Sequence, residues 1–275
     1  MPEVKIGSVT IGGNAPLALI AGPCVLESLD LCVEVAEGIA AAAAQVGMSW
    51  IFKGSFDKAN RTSVESYRGP GLQEGLGILS KIKAAFEVPV QSDVHETGQV
   101  ESVAEVADVI QIPAFLCRQT DLLLAAAKTG RAVMVKKGQF LAPEEMLQIK
   151  QKVFSCGNEN LIFCERGTSF GYQRLIVDMR GLEIMRGFGC PVVLDATHST
   201  QLPAAAGKSS GGEREFVPGL VRAGAAVGID ALFLEVHPRP AEAKSDPATS
   251  WPLAELPDLL KQASEIDECR RGIMK

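Results

Sequence analysis

Eight short apolar runs recur along the chain, separated by segments of helical length, and most of them end in a residue able to bind or transform an anion. LALIAGPC ends at Cys24, WIFKGSFDKANR at Lys53 to Arg61, and VPVQSDVHE at Asp93 and His95. VIQIP is followed by Arg118, VMVKK ends at Lys136 and Lys137, and LIFCER ends at Arg166. VVLDATH delivers His198 and ALFLEVHP delivers Glu235. Strands that alternate with helices and carry their reactive groups at the carboxyl ends define a (β/α)8 TIM barrel, the fold class expected here.

A barrel of about 250 residues fills most of the 275-residue chain, so residues 1–275 are read as one domain. No apolar stretch approaches the roughly 18 residues of a membrane span. The start, MPEVKIGSVTIGGN, lacks a basic and apolar secretory signal. Seven cysteines without metal-knuckle spacing suit a reducing compartment, so a cytoplasmic protein is expected. A net charge of −6 argues against nucleic acid or an anionic membrane surface as partner. The basic residues nevertheless gather at strand ends, as a small, multiply charged anionic substrate would require.

Residues 3–12 alternate and end in Gly-Gly-Asn, which reads as a short N-terminal β-hairpin plugging the barrel's bottom. Strands are expected at 17–22, 49–54, 88–92, 108–112, 132–136, 161–165, 191–195 and 231–236. The spacing predicts helices over 27–46, 73–87, 98–106, 119–129, 143–155, 175–188, 213–227 and 252–267. The loop FDKANRTSVESYRGPG is too long for an idle connection, and QLPAAAGKSSGGERE has the composition of a mobile one.

Cys24, His198, Glu235 and Asp246 would converge at one rim, because the first, seventh and eighth strands are neighbours in a closed ring. One sulfur, one nitrogen and two carboxylates suit a divalent ion such as zinc, iron or manganese; a small buried core thiol is the alternative for Cys24. Lys53 and Lys136 occupy inward positions near the mouth, where a buried ammonium needs an anion. Arg166 presents a fork for carboxylate or phosphate. A solvated reading fits only Lys137. A Schiff base on Lys53 or Lys136 is the rival use, disfavoured by the arginine company. Asp93 and His95 point to one side of their strand, either for proton handling and hydroxyl recognition or as caps of the next helix. His237 is read as structural, with Glu235 taking the inward place.

At these residues the chain resembles the 3-deoxy-D-manno-octulosonate 8-phosphate (KDO8P) synthases. The resemblance is carried by AGPCVLES, FKGSFDKANRTS, SYRGPGL, SDVHE, DVIQIPAFLCRQTDLL, VKKGQF, CERGTSFGY, DATHSTQLP, SGGEREF and EVHP, which span roughly residues 17–253. It implies an aldol-type condensation of phosphoenolpyruvate with D-arabinose 5-phosphate and water, giving the eight-carbon sugar acid phosphate and inorganic phosphate for lipopolysaccharide. The related DAHP synthases, which use erythrose 4-phosphate, share the GPC element but carry Lys-Pro-Arg-Thr where this chain has KANRTS. Metal-independent relatives have asparagine at the Cys24 position. Cys24, VKKGQF and KSDPATS with Asp246 resemble the metal-dependent branch, implying Cys24, His198, Glu235 and Asp246 as ligands.

The resemblance further assigns Lys53, Lys58, Lys136 and Arg166 to phosphoenolpyruvate, with Arg118 reaching in from a neighbouring subunit of a homo-oligomer, a tetramer by family likeness. It assigns Asn60, Arg61 and Thr62 to the sugar phosphate. Gln111 joins the substrate-binding set, and Gln201 with Ser209 and Ser210 would close over the site. Cys24, Lys58, Asp93, His95, His198 and Asp246 form the expected catalytic set. No nucleotide or redox cofactor is implied, since neither a GxGxxG run nor a P-loop is present.

Overall fold

Alternation of buried side chains along each apolar run decides the architecture. A computed structural model describes residues 3–61, 63–203 and 211–273. The chain opens with an antiparallel hairpin, β1 (Glu3–Ile6) and β2 (Val9–Gly12). The elements that follow are β3 (Ala18–Gly22), α1 (Leu29–Gln45), β4 (Trp50–Lys53), α2 (Leu72–Phe86) and β5 (Val90–Asp93). Next come α3 (Val100–Val106), β6 (Val109–Ile112), α4 (Thr120–Lys128), β7 (Ala132–Lys136), α5 (Met146–Phe154) and β8 (Leu161–Glu165). A small hairpin, β9 (Thr168–Phe170) and β10 (Arg174–Ile176), precedes α6 (Met179–Gly187) and β11 (Val192–Asp195). The short pair β12 (Gln201–Leu202) and β13 (Gly211–Gly212) leads to α7 (Val217–Val227) and β14 (Ala231–His237). β15 (Trp251–Pro252) and α8 (Leu256–Ile273) complete the order.

Strands β3 to β8, β11 and β14 pair in parallel in sequence order, and β14 pairs with both β11 and β3, so the ring closes. The expected (β/α)8 barrel is present. Side-chain parity then sorts the residues. Leu19, Phe52, Ile110, Val133, Phe163 and Leu194 face outward and pack with the helices. Ile20, Ile51, Val109, Met134, Ile162, Val193 and Phe233 face inward and form a second core with Val4, Ile6, Val9 and Ile11 of the hairpin. The hairpin therefore plugs the barrel's amino-terminal end, as its alternation predicted.

Helix α1 shows why local sequence sufficed for most boundaries. Ser28 caps it by accepting from the Leu31 amide at 3.2 Å, alanine fills its body, and Gly47 at φ +63° ends it. Several helix boundaries differ from expectation: α5, α7 and α8 start at 146, 217 and 256 rather than at 143, 213 and 252, each after a 3-10 turn. Residues 175 and 176 belong to β10 rather than to a helix, because β9 and β10 pair across the turn at 171–173. Helix α8 continues to Ile273, past the anticipated end at 267, where Asp267 binds Arg270 and Arg271 one turn on.

Candidate active site

Followed upward, the inward parity of each strand changes from apolar to charged in a single layer. Above Ile51 stands Lys53, above Val109 Gln111, above Met134 Lys136, above Cys164 Arg166, above Val193 Asp195 and above Phe233 Glu235. Strand β5 is polar one layer earlier, with Gln91 below Asp93 and its amide donating to Gln111 Oε1 at 2.9 Å. The Phe233 ring forms the floor between the two layers, with Lys136 Nζ 3.8 Å and Lys53 Nζ 5.7 Å from its centroid.

Around that floor, opposite charges interlock. Lys53 is buried, and its ammonium donates to Cys24 O, Ser55 Oγ and Glu235 Oε1 at 3.2, 3.0 and 3.0 Å. Lys58 Nζ approaches the same Glu235 oxygen at 3.6 Å. Burial alone would raise the Glu235 carboxyl, but His198, Lys53, Lys58 and Lys136 together hold it well below its usual range. Burial draws Lys58 down, yet its electrostatic interactions with Cys24, Glu235 and Asp93 more than reverse this and raise it. Lys136 is paired with Asp195 Oδ2 at 2.5 Å.

Cys24 follows β3, whose Gly22 permits close approach to β4: a Cβ there would lie 1.8 Å from the Lys53 carbonyl oxygen. Its Sγ lies 2.8 Å from Ser245 Oγ and 3.3 Å from Asp246 Oδ2. Donor atoms of Cys24, Glu235 and Asp246 fall within 4.8 Å of one another, a spacing that fits one metal ion. His198 Nε2 is 3.4 Å from Glu235 Oε2 and 4.0 Å from Asp246 Oδ2. Glu235 Oε2 accepts no hydrogen bond among the described residues although it is buried. Asp246 holds φ +47°, a left-handed conformation that asparagine and aspartate tolerate best, and its carbonyl is fixed by Thr249 N and Ser250 N. One soft sulfur, an imidazole and two carboxylates around an orphaned oxygen fit a divalent transition ion. Burial, then Glu235, pushes the Cys24 thiol up, so ligation would have to displace its proton.

Beside this pocket lies a cationic wall. Arg166 is buried, donates from Nη2 to Gln201 Oε1 at 2.5 Å, and leaves Nη1 without a partner among the described residues. Burial lowers it, against the opposing charges of Asp195 and Asp246. A buried guanidinium with a free N–H is a site for an oxyanion. On the far side, His95 Nε2 meets Asp93 Oδ2 at 3.1 Å while His95 Nδ1 and Asp93 Oδ1 stay open. Glu96 and Gln99, not this pair, form a capping box at the 3-10 turn 97–99 that leads into the next helix, the Gln99 Oε1 accepting from His95 N and Glu96 N. Against desolvation, the hydrogen bond and charge of Asp93 raise His95 above its ordinary value.

Arg61 ties two rim loops, donating to Tyr67 O at 2.9 Å and Lys244 O at 3.0 Å, with Asn60 exposed next to it. Arg118 is exposed, and its carbonyl accepts from Lys152. Thr62, Ser209 and Ser210 lie outside the described residues. His237 stands apart from the cluster and faces Glu27 at 3.5 Å. Lys137 requires correction: it is completely buried, donating to Thr168 Oγ1 at 2.9 Å and to the Gly138 and Leu141 carbonyls, and so anchors the loop after β7. Asp195 was missed. Its signal was parity, since it continues the inward series of Val193 at the top of its strand.

A parallel barrel with a cationic wall and a cation-type donor cluster at one carboxyl-terminal rim defines a class of barrel enzymes acting on small anionic substrates. The chain belongs to the DAHP synthetase I family, whose profile matches residues 2–271. It is similar to the 2-dehydro-3-deoxyphosphooctonate aldolases of Fusobacterium nucleatum (55% identical over 271 residues, 98% of each chain) and Trichlorobacter lovleyi (57% over 265 residues, 96% of this chain and 97% of the other). A protein of the same name from Geobacter sp. strain M21 is 56% identical over 265 residues, again 96% and 97% of the two chains. No helix among the described residues is long and apolar enough to cross a membrane.

Proposed function

We propose that this chain condenses phosphoenolpyruvate with D-arabinose 5-phosphate and water, releasing inorganic phosphate and 3-deoxy-D-manno-octulosonate 8-phosphate, the precursor of the lipopolysaccharide inner-core sugar acid. The observation that carries the reading is the buried, half-satisfied Arg166 at the rim that also carries Lys136 and Lys58, a set of cations that asks for a polyanion. The names of relatives sharing more than half of their residues support the particular product.

Two polyanions must meet in one dry cleft, which is costly unless fixed cations neutralise them. Arg166, Lys136 and Lys58 hold the phosphate and carboxylate of phosphoenolpyruvate, with Gln111 and Gln201 orienting it. Lys53, its donors already engaged, contributes charge from beneath. Asn60, Arg61 and Thr62 grip the sugar phosphate, which places the open-chain aldehyde over the enol carbon. Orientation of this kind supplies on the order of 7–11 kcal/mol in well-aligned cases. Attack of C3 on the aldehyde leaves C2 cationic; water adds there, and the resulting hemiketal phosphate loses phosphate through C–O cleavage. Asp93 and His95, with an open carboxylate oxygen and ring nitrogen, take part in the accompanying proton movements and in holding sugar hydroxyls. Cys24, His198, Glu235 and Asp246 would hold a divalent cation, zinc, iron or manganese by donor type, which supplies Lewis-acid orientation of the aldehyde or water.

A second copy of the chain covers the exposed Phe115, Phe140 and Phe170 of the neighbouring rim loops and carries Arg118 to its neighbour. The working form is then a homo-oligomer, a tetramer in the family's manner, of single-domain barrels acting in the cytoplasm where phosphoenolpyruvate is made. Mixing both substrates with metal-replete protein and measuring phosphate release tests the reaction. Turnover with arabinose 5-phosphate is expected, and turnover with erythrose 4-phosphate alone would reassign it to DAHP synthesis. Chelator treatment should abolish activity and added Zn²⁺, Mn²⁺ or Fe²⁺ restore it; full activity of the stripped protein removes the cation from the scheme.

A further inference from the structure

Asp195 is fully buried, yet it touches both halves of the site. Its Oδ1 accepts from the His198 amide at 2.9 Å and from Thr197 Oγ1 at 3.1 Å. Its Oδ2 lies 2.6 Å from His198 Nδ1 and 2.5 Å from Lys136 Nζ. A carboxylate only accepts, so the hydrogen in its contact with the ring sits on Nδ1. Two bonds from one carboxylate to the same residue, one to its backbone and one to its ring, leave the imidazole little freedom. Nε2 is therefore the nitrogen turned to Glu235 and Asp246.

We infer that Asp195 is a positioning residue that locks His198 with its Nε2 lone pair facing the cation pocket and, through the same oxygen, holds the Lys136 ammonium at the cationic wall. The inference rests on the cation site proposed above and adds to it. A metal-binding imidazole whose second nitrogen donates to a carboxylate has its tautomer and orientation set in advance and is the more basic ligand for it. The shared oxygen also ties the two subsites mechanically: the side chain that aims the nitrogen ligand also sets where the ammonium stands. Thr197 extends the support, because its Oγ1 accepts from the Glu235 amide at 3.1 Å and so links Asp195 to a second proposed ligand.

The test compares the parent protein with Asp195→Asn, both stripped of metal and titrated with Zn²⁺ and Co²⁺ against a chromophoric chelator. The amide has nearly the carboxylate's size but can donate to Nδ1, which moves the ring proton to Nε2. Zn²⁺ and Co²⁺ affinity is expected to fall about 10- to 100-fold, with an altered visible spectrum of the Co²⁺ protein and an unchanged far-ultraviolet dichroism spectrum. Equal affinity and identical Co²⁺ spectra in the two proteins overturn the inference. A parent protein that takes up neither ion is a separate failure, which sinks the cation site itself. Should Asp195→Asn fail to fold, the parent alone suffices. Of the three histidines, His198 in ¹⁵N-labelled, Zn²⁺-loaded protein should carry its proton on Nδ1; a bare Nδ1 overturns the proposal.

Discussion

The two rims of the barrel use the same residue types in opposite ways. At the amino-terminal rim, Asp267 accepts from Leu17 N at 3.2 Å and from Arg270 at 2.7 Å, and pairs in charge with Arg271 at 2.9 Å. Asp108 accepts from Val90 N and Lys83, and Asp230 from Val192 N and Arg186. Each of these carboxylates meets the first free N–H of a strand and a cation, and below them the hairpin fills the barrel with Val4, Ile6, Val9 and Ile11. At the carboxyl-terminal rim, Arg166 Nη1, Asp93 Oδ1, His95 Nδ1 and Glu235 Oε2 are buried without a hydrogen-bond partner among the described residues. Leaving such atoms open costs about 1–3 kcal/mol each. Open atoms occur at both rims, since the Nε atoms of Arg186, Arg270 and Arg271 also lack a partner among the described residues, but only at the carboxyl-terminal rim do they include carboxylate and imidazole atoms, the groups we propose a ligand completes.

The sharpest way to break this contrast is to remove one group from each rim. Arg166→Ala should lower kcat/KM for phosphate release by about 10³-fold, while its thermal midpoint stays level or rises, because an unsatisfied buried charge is gone. A large loss of stability instead would make Arg166 structural and erase the distinction. Asp267→Ala should do the reverse. Breaking a buried carboxylate away from two arginines and a strand amide should cost about 3 kcal/mol in chemical denaturation, with kcat/KM per folded molecule unchanged. Activity lost without a loss of stability would contradict that assignment.

The smallest effect concerns Asp93 and His95, a pair half satisfied and half open. Because Asp93 raises His95, the stabilisation from the charged pair is complete below the ordinary imidazole value. It is lost as pH rises through the raised one. Asp93→Asn should therefore move the His95 titration downward, followed by NMR of its ring proton. The stability gap between parent and variant should narrow as pH rises through the parent's His95 titration. An unmoved titration would show that the 3.1 Å contact carries no electrostatic weight.

Much of this was legible in the residues because it is local. Eight apolar runs fixed eight strands to within about two residues, and Ser28 and Gly47 marked the ends of α1. Strand ends also located Lys53, Lys136, Arg166, His198 and Glu235 at one rim. Lys137 misled because a lysine at a strand end looks solvated until the loop after β7 is seen to wrap it. Asp195 went unnoticed because its partners, Lys136 and Thr197 with His198, come partly from a different strand. The hairpin β9–β10 was hidden since three-residue strands carry too few alternations to stand out.

By itself, the chain's pattern determined the barrel, its plug, and which side chains reach the working rim, since alternation and strand order depend on neighbours in sequence. Only the tertiary structure decided which of those side chains are already spent on each other and which remain open. Lys53 is saturated by Cys24, Ser55 and Glu235, whereas Arg166 retains a free N–H. The physical reason is that hydrogen-bond satisfaction is settled between residues far apart in the chain, at distances that no spacing of letters encodes.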